Sequence, residues 1–239
     1  MALLEGRGLS KRFGGVRALT EVSFSVEAGS IVGLIGPNGA GKTTLFNLVA
    51  GTYKPDAGEI HFDGSNITGA VANEACRGGI ARTFQVTRPF PAMTCLENVG
   101  VAIVNSPRSE NRTGWEPLAL KYLNLVGLGD QARVEARHLN VVQKKRLEIA
   151  RALATRPKLL LLDEVLGGLN SHEIRQAVAF IRSLRDEHRL TVFWIEHVMG
   201  AIMEAAEKII VLDQGGLLME GTPTEVVSDS RVVRAYLGD

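Results

Sequence analysis

The chain is 239 residues long, with 45% apolar and 22% charged residues, a globular composition that excludes an intrinsically disordered protein. Lys plus Arg total 27 against 26 Asp plus Glu, a balance that offers no basic footprint for nucleic acid. No apolar run reaches the roughly 18 residues that a membrane-spanning helix needs.

The elements follow in chain order. Val22 to Val26 alternates with period two and ends at the turn Glu27-Ala28-Gly29-Ser30. Ile31 to Ile35 is a near-continuous apolar run of strand length, the pattern of a strand covered on both faces. Gly36 to Gly41 breaks that pattern, and Thr43 to Ala50 continues as a short helix. The stretch 86–147 carries no strong strand run and reads as a mainly helical insertion, with a polar loop over Asn105 to Pro117. A helix is predicted from Asn140, as N-cap, to Thr155, and others over His172 to Leu184 and Val198 to Glu207. Strands are predicted at Leu159 to Leu162 and Thr191 to Ile195, with a terminal hairpin over Lys208 to Met219. Strands alternating with helices give an α/β fold with a mostly parallel sheet. Cys76 and Cys95 lie at no metal-ligand spacing, and the first seven residues lack the basic start and apolar core of a secretory leader.

Gly36-Pro37-Asn38-Gly39-Ala40-Gly41-Lys42-Thr43, followed by Thr44, fits the phosphate-cradle pattern G-x-x-x-x-G-K-[ST]. Glycines let the backbone N–H groups close on phosphate oxygens, and the helix that follows presents its positive end to them. Lys42 supplies a cation for the β- and γ-phosphates, and the Thr43 hydroxyl a ligand for Mg²⁺. Leu159 to Leu162 ends in Asp163-Glu164. A carboxylate at that strand end can hold Mg²⁺, the role expected of Asp163, and Glu164 can polarise a water for attack on the γ-phosphate. Read singly, the two acids could merely cap a strand, and His197 and Gln85 could be structural. The cradle alone leaves kinase, GTPase, helicase and transporter ATPase open.

In this order, the motifs resemble the ATP-binding subunits of ABC transporters over nearly the whole chain. The resemblance implies a P-loop NTPase, RecA-like core with an antiparallel N-terminal β region (1–85 and 148–239) and a helical subdomain (86–147), in one ATPase domain. It makes Glu164 the catalytic glutamate, Asp163 the Walker B acid, and Gln85 the glutamine that reaches Mg²⁺ and the attacking water. His197 becomes the switch histidine at the γ-phosphate, Phe13 the aromatic that stacks on adenine, and Gly168, Leu169 and Asn170 the loop at the dimer seam. Arg82-Thr83-Phe84-Gln85, Arg146 to Arg151 and the closing Arg234-Ala235-Tyr236-Leu237-Gly238 are similar to the LivG-type ATPases of branched-chain amino acid importers. The lipopolysaccharide-export ATPases share that ending and are the competing transporter reading; a regulatory ATP-binding subunit with little hydrolysis is the other.

The implied cofactors are ATP and Mg²⁺. The implied partners are a second ABC ATPase, as a heterodimer or alternatively a homodimer, transmembrane permeases, and indirectly a solute-binding protein, with this chain peripheral on the cytoplasmic face of the membrane. Two positions depart from the family pattern. The signature, normally Leu-Ser-Gly-Gly-Gln, reads Leu139-Asn140-Val141-Val142-Gln143, and Val165 replaces the proline after Glu164. Asn140 can still cap the helix, whereas the branched Val142 hinders a close approach to the partner's phosphate.

Overall fold

The computed structural model describes residues 2–108 and 113–237, with the side chain of Leu237 excepted. Residues 109–112 of the expected polar loop and Gly238 of the closing segment lie outside the described residues. Two sheets carry the fold. The first has the order β2-β1-β4-β5, built from β1 (Ala2–Phe13), β2 (Val16–Glu27), β4 (Ala57–Phe62) and β5 (Ser65–Asn66), all antiparallel. The second has the order β10-β9-β3-β8-β7-β6. Its strands are β3 (Ile31–Ile35), β6 (Ile80–Arg82), β7 (Leu159–Asp163), β8 (Thr191–Ile195), β9 (Lys208–Asp213) and β10 (Gly216–Gly221). Only the terminal β9–β10 hairpin is antiparallel in it.

The apolar runs of β3, β7 and β8 have a direct cause. Ile31, Ile35, Leu160, Leu162, Val192 and Trp194 belong to one core, and Val32, Leu34, Leu159, Leu161, Phe193 and Ile195 to another. Alternate residues thus enter different cores, so neither face has room for a polar side chain. Each fully buried Leu or Ile contributes about 1.5–3 kcal/mol. The second core is closed by the first sheet and by α1 (Lys42–Val49), through Leu45, Phe46, Leu48 and Val49.

The remaining helices are α2 (Ala72–Gly78), α3 (Cys95–Asn105), α4 (Glu116–Leu125), α5 (Val141–Ala154), α6 (Ser171–His188), α7 (Met199–Ala205), α8 (Pro223–Ser228) and α9 (Ser230–Leu237). Reciprocal capping boxes start α3 (Thr94 and Glu97), α5 (Asn140 and Gln143), α6 (Asn170 and Glu173) and α8 (Thr222 and Glu225). The chain between β6 and β7 is helical, with α3, α4 and α5 packed on one another. α5 runs unbroken across residue 147, the expected edge of the insertion, and also packs against β6. No helix among the described residues is long and apolar enough to cross a membrane.

Several expectations need correction. The polar loop is shorter than Asn105 to Pro117: α3 includes Asn105, and α4 takes in Glu116 and Pro117 at its first turn, where proline is tolerated. β2 starts at Val16 and α6 extends to His188. β1 had no legible period because its pairing with β2 is interrupted by register shifts, and Gly6 lies under the Phe24 ring.

Candidate active site

The site gathers at the carboxyl ends of the parallel strands, where open α/β sheets bind ligands. After β3 the chain turns through Gly36, Gly39 and Gly41, with φ values of 150°, 81° and 100°. Two of these are steric necessities. A Cβ on Gly36 would meet the Leu212 carbonyl oxygen at 2.1 Å, and one on Gly41 the Ala18 carbonyl oxygen at 2.6 Å. Gly41 occupies the N-cap of α1 without a side-chain cap, and the first turn carries no acid. The leading N–H groups of α1 therefore remain donors for an anion. Lys42 is buried, and its Nζ donates to the carbonyls of Gly36 at 2.6 Å and Pro37 at 2.9 Å. Burial lowers its pKa, while Glu164 and Asp163 pull the other way.

Asp163 ends β7 and is 2% exposed. Its Oδ2 accepts from Arg82 Nη2 at 3.0 Å, while Oδ1 is buried with no hydrogen-bond partner. Burial raises its pKa, opposed by Arg82. A buried carboxylate oxygen without a donor is costly for the protein and well suited to a hard cation, so the residues fit Mg²⁺. Thr43, in the first turn of α1, would share that ion.

Glu164 has φ 50°, a left-handed conformation rare for a residue with a side chain. Its N–H is fixed by the Ile195 carbonyl at 2.9 Å. Its side chain is met from two sides, by Gln85 Nε2 at 2.8 Å and His197 Nε2 at 2.7 Å. Three residues from the ends of β6, β7 and β8 thus meet around one carboxylate.

Sequence reasoning missed the supports of this cluster. Buried Glu196 accepts from Leu166 N–H and His197 N–H, each at 3.0 Å, and ties the turn after Glu164 to the histidine. Lys145 Nζ donates to the carbonyls of Glu164 at 3.1 Å and Gly167 at 2.7 Å. Arg82 also donates to Asn47 Oδ1. Their only signal in the sequence was charge next to a motif.

Phe13 is 43% exposed at the end of β1, at a steep angle to Tyr53 at 5.1 Å and with the Lys11 ammonium 5.6 Å from its ring centre. Asn140 accepts from Gln143 N–H at 2.8 Å, so its side-chain oxygen is spent on capping α5. Val141 is exposed and Val142 half-buried. Gly168 has φ 84°, Leu169 is half-buried, and Asn170 caps α6 through His172 and Glu173. The two departures from the family pattern meet in space: Val142 and Val165 line one apolar cavity of about 210 Å³ with Leu169 and Phe180.

Residues 19–167 match the family model described as ABC transporter, and residues 217–239 the one described as branched-chain amino acid ATP-binding cassette transporter. The chain is 41% identical over 251 residues to the high-affinity branched-chain amino acid transport ATP-binding protein BraF of Pseudomonas aeruginosa, covering 99% of this chain and 98% of that protein. With LivG of Escherichia coli strain K12 the identity is 39% at the same coverage. The ADP conformation of MJ1267, an ATP-binding cassette of an ABC transporter, has a similar structure, with TM-score 0.88, 31% identity and both chains wholly covered. The dimeric, ADP- and Pi-bound cassette MJ0796 gives TM-score 0.83 at 26% identity, over 92% of this chain and 98% of that one. With the family model over most of its length and relatives of 39–41% identity over nearly all of it, the chain belongs to the ABC transporter family and is an ATPase that powers transport.

Proposed function

We propose that this ATPase binds ATP with Mg²⁺ in the cradle 36–44 and hydrolyses it to drive import of branched-chain or other small polar amino acids. The observation that carries the chemical reading is the convergence of Gln85 and His197 on Glu164 beside the open oxygen of Asp163. The solute class rests on the names of BraF and LivG.

The roles follow from the groups. Phe13 would stack on the adenine. The N–H groups of 36–44 and the Lys42 ammonium would take the phosphates, with Lys42 exchanging loop carbonyls for phosphate oxygens. Thr43, Asp163 and Gln85 would hold Mg²⁺, which when bound neutralises charge on the β- and γ-phosphate oxygens. Glu164 takes a proton from the water that attacks the γ-phosphorus in line, as the bond to the ADP oxygen breaks and phosphate forms. His197 orients Glu164 and faces the γ-phosphate. We assign 86–147 as the helical subdomain, inserted into a core of 1–85 and 148–239.

ABC cassettes dimerise and work with transmembrane permeases. In the arrangement proposed here, residues 140–143 and the loop 168–170 of this chain face the ATP held by a second, different ATPase. The exposed Val86 and Phe90 suit a permease helix. In this reading the chain sits on the cytoplasmic face of the membrane and meets a solute-binding protein only indirectly. Val142 then weakens the partner's site and leaves this chain's own Lys42–Asp163–Glu164–His197 set at full strength. The test is ATPase activity of the assembled pair with Glu164→Gln here and with the matching change in the partner. A larger loss from the change in this chain is expected, and equal losses overturn the asymmetric pair. One observation favours a second reading, a weakly hydrolysing regulatory subunit: the branched side chain at 142. Turnover at the background rate in the assembled complex, with ATP binding intact, would establish it.

A further inference from the structure

α5 carries three charged residues spaced by three, Lys145, Glu148 and Arg151, which fall along one side of the helix. Each grips a segment that ends at the catalytic cluster. Lys145 holds the carbonyls of Glu164 and Gly167. Glu148 accepts from the N–H groups of Phe84 at 3.1 Å and Arg88 at 3.2 Å, one on each side of Gln85. Arg151 donates to the Arg88 carbonyl at 2.7 Å and lies over the Phe90 ring at 4.8 Å.

Glu148 is the unexpected member. It is 6% exposed, at a position where an apolar residue would bury more cheaply. Burial raises its pKa, yet both of its oxygens are spent on two backbone donors of a single turn, 84–88. That turn has no other side-chain anchor on the N–H groups of 84 and 88 among the described residues. Between these two anchors, Gln85 Nε2 reaches Glu164 Oε2 at 2.8 Å.

We infer that Glu148 is a positioning residue for Gln85: through its two hydrogen bonds α5 sets the 84–88 turn, and with Lys145 on the Glu164 turn it fixes how Gln85 meets Glu164. A displacement of α5 is thereby passed to the water-activating pair without any contact between α5 and nucleotide in this chain. The inference rests on the proposed role of Gln85 in hydrolysis.

The test is a double-mutant cycle, with kcat and KM for ATP measured on the assembled ATPase pair and the thermal midpoint on this chain, for Glu148→Gln, Glu148→Ala, Gln85→Ala and the doubles. Glu148→Ala is expected to lower kcat about tenfold with KM for ATP little changed, because the turn drifts while the phosphate cradle does not. Glu148→Gln keeps one acceptor oxygen and restores most of the rate; it also carries the cycle if the alanine variant does not fold. In the Gln85→Ala background either change at 148 has no further effect on kcat. Losses that multiply in the double variant overturn the positioning role and leave the role of Gln85 standing. An unchanged kcat in Gln85→Ala overturns both.

Discussion

Gln85 Nε2 donates to Oε2 of Glu164 at 2.8 Å across 79 residues of sequence, and His197 Nε2 lies 2.7 Å from the other carboxylate oxygen. The carboxylate is therefore oriented on both sides by the chain's own side chains, and a substitution that keeps its shape but removes its basicity isolates the chemical step. Glu164→Gln is expected to lower phosphate release by about 10²–10⁴-fold while a fluorescent nucleotide titration shows affinity retained. Loss of nucleotide binding in that variant would mean that Glu164 builds the pocket and does not serve as base.

Arg82 stands behind the other acid. Its side chain is 9% exposed and pairs with Asp163 at 2%. Deleting one partner of a buried pair strands the other charge, at a cost of about 3–5 kcal/mol. Urea denaturation of Arg82→Ala should show a loss of that size, with Arg82→Lys in between, since an ammonium keeps the charge but cannot fork between Asp163 and Asn47. A loss below about 1 kcal/mol would show that the pair is not formed in solution.

Legibility tracked how local the cause was. β3, β7 and β8 were readable because a strand between two cores must be apolar at every position, and Ile31 to Ile35 says so by itself. The cradle was readable because Gly36 and Gly41 answer to carbonyls that a Cβ would strike. Asp163 and Glu164 were readable because they end such a strand. Arg82, Glu148 and Glu196 were not, since their partners lie 81, 60 to 64 and up to 30 residues away. Only the folded chain brings backbone N–H groups to the two glutamates and the Arg82 guanidinium to Asp163. β1 has no legible period of its own for another reason: register shifts interrupt its pairing with β2.

Glu148 gives a stability signature that depends on pH. Burial raises its carboxyl above the usual 4.5, against the Phe84 and Arg88 N–H groups and the Arg151 and Arg82 guanidiniums, with Lys145 also facing it from α5. A raised folded-state pKa means that the folded chain holds this proton more tightly than the unfolded chain. Its contribution to stability is therefore greatest below the unfolded value and falls as pH rises through the folded value. Glutamine carries no such proton. The thermal midpoint of Glu148→Gln relative to wild type should shift in the variant's favour as pH rises through the raised carboxyl value of Glu148. A difference independent of pH would contradict a raised carboxyl at this site.

Val142 separates stability from turnover. It occupies the first turn of α5 and, with Val165, Leu169 and Phe180, lines an apolar cavity of about 210 Å³. Replacing it with glycine, the residue that the family signature carries, removes that apolar contact and loosens the helix start, so Val142→Gly should cost about 1–2 kcal/mol in urea denaturation. The same change lets backbone approach a phosphate more closely. If the branched side chain is what weakens the partner's site, ATPase activity of the assembled pair rises even as this chain becomes less stable. The gain should persist when this chain's own site is silenced by Glu164→Gln, because it arises at the ATP held by the partner. A Val142→Gly chain that assembles normally and shows no gain would mean that the valine is compatible with full activity, and that its pairing with Val165 across the cavity serves packing alone.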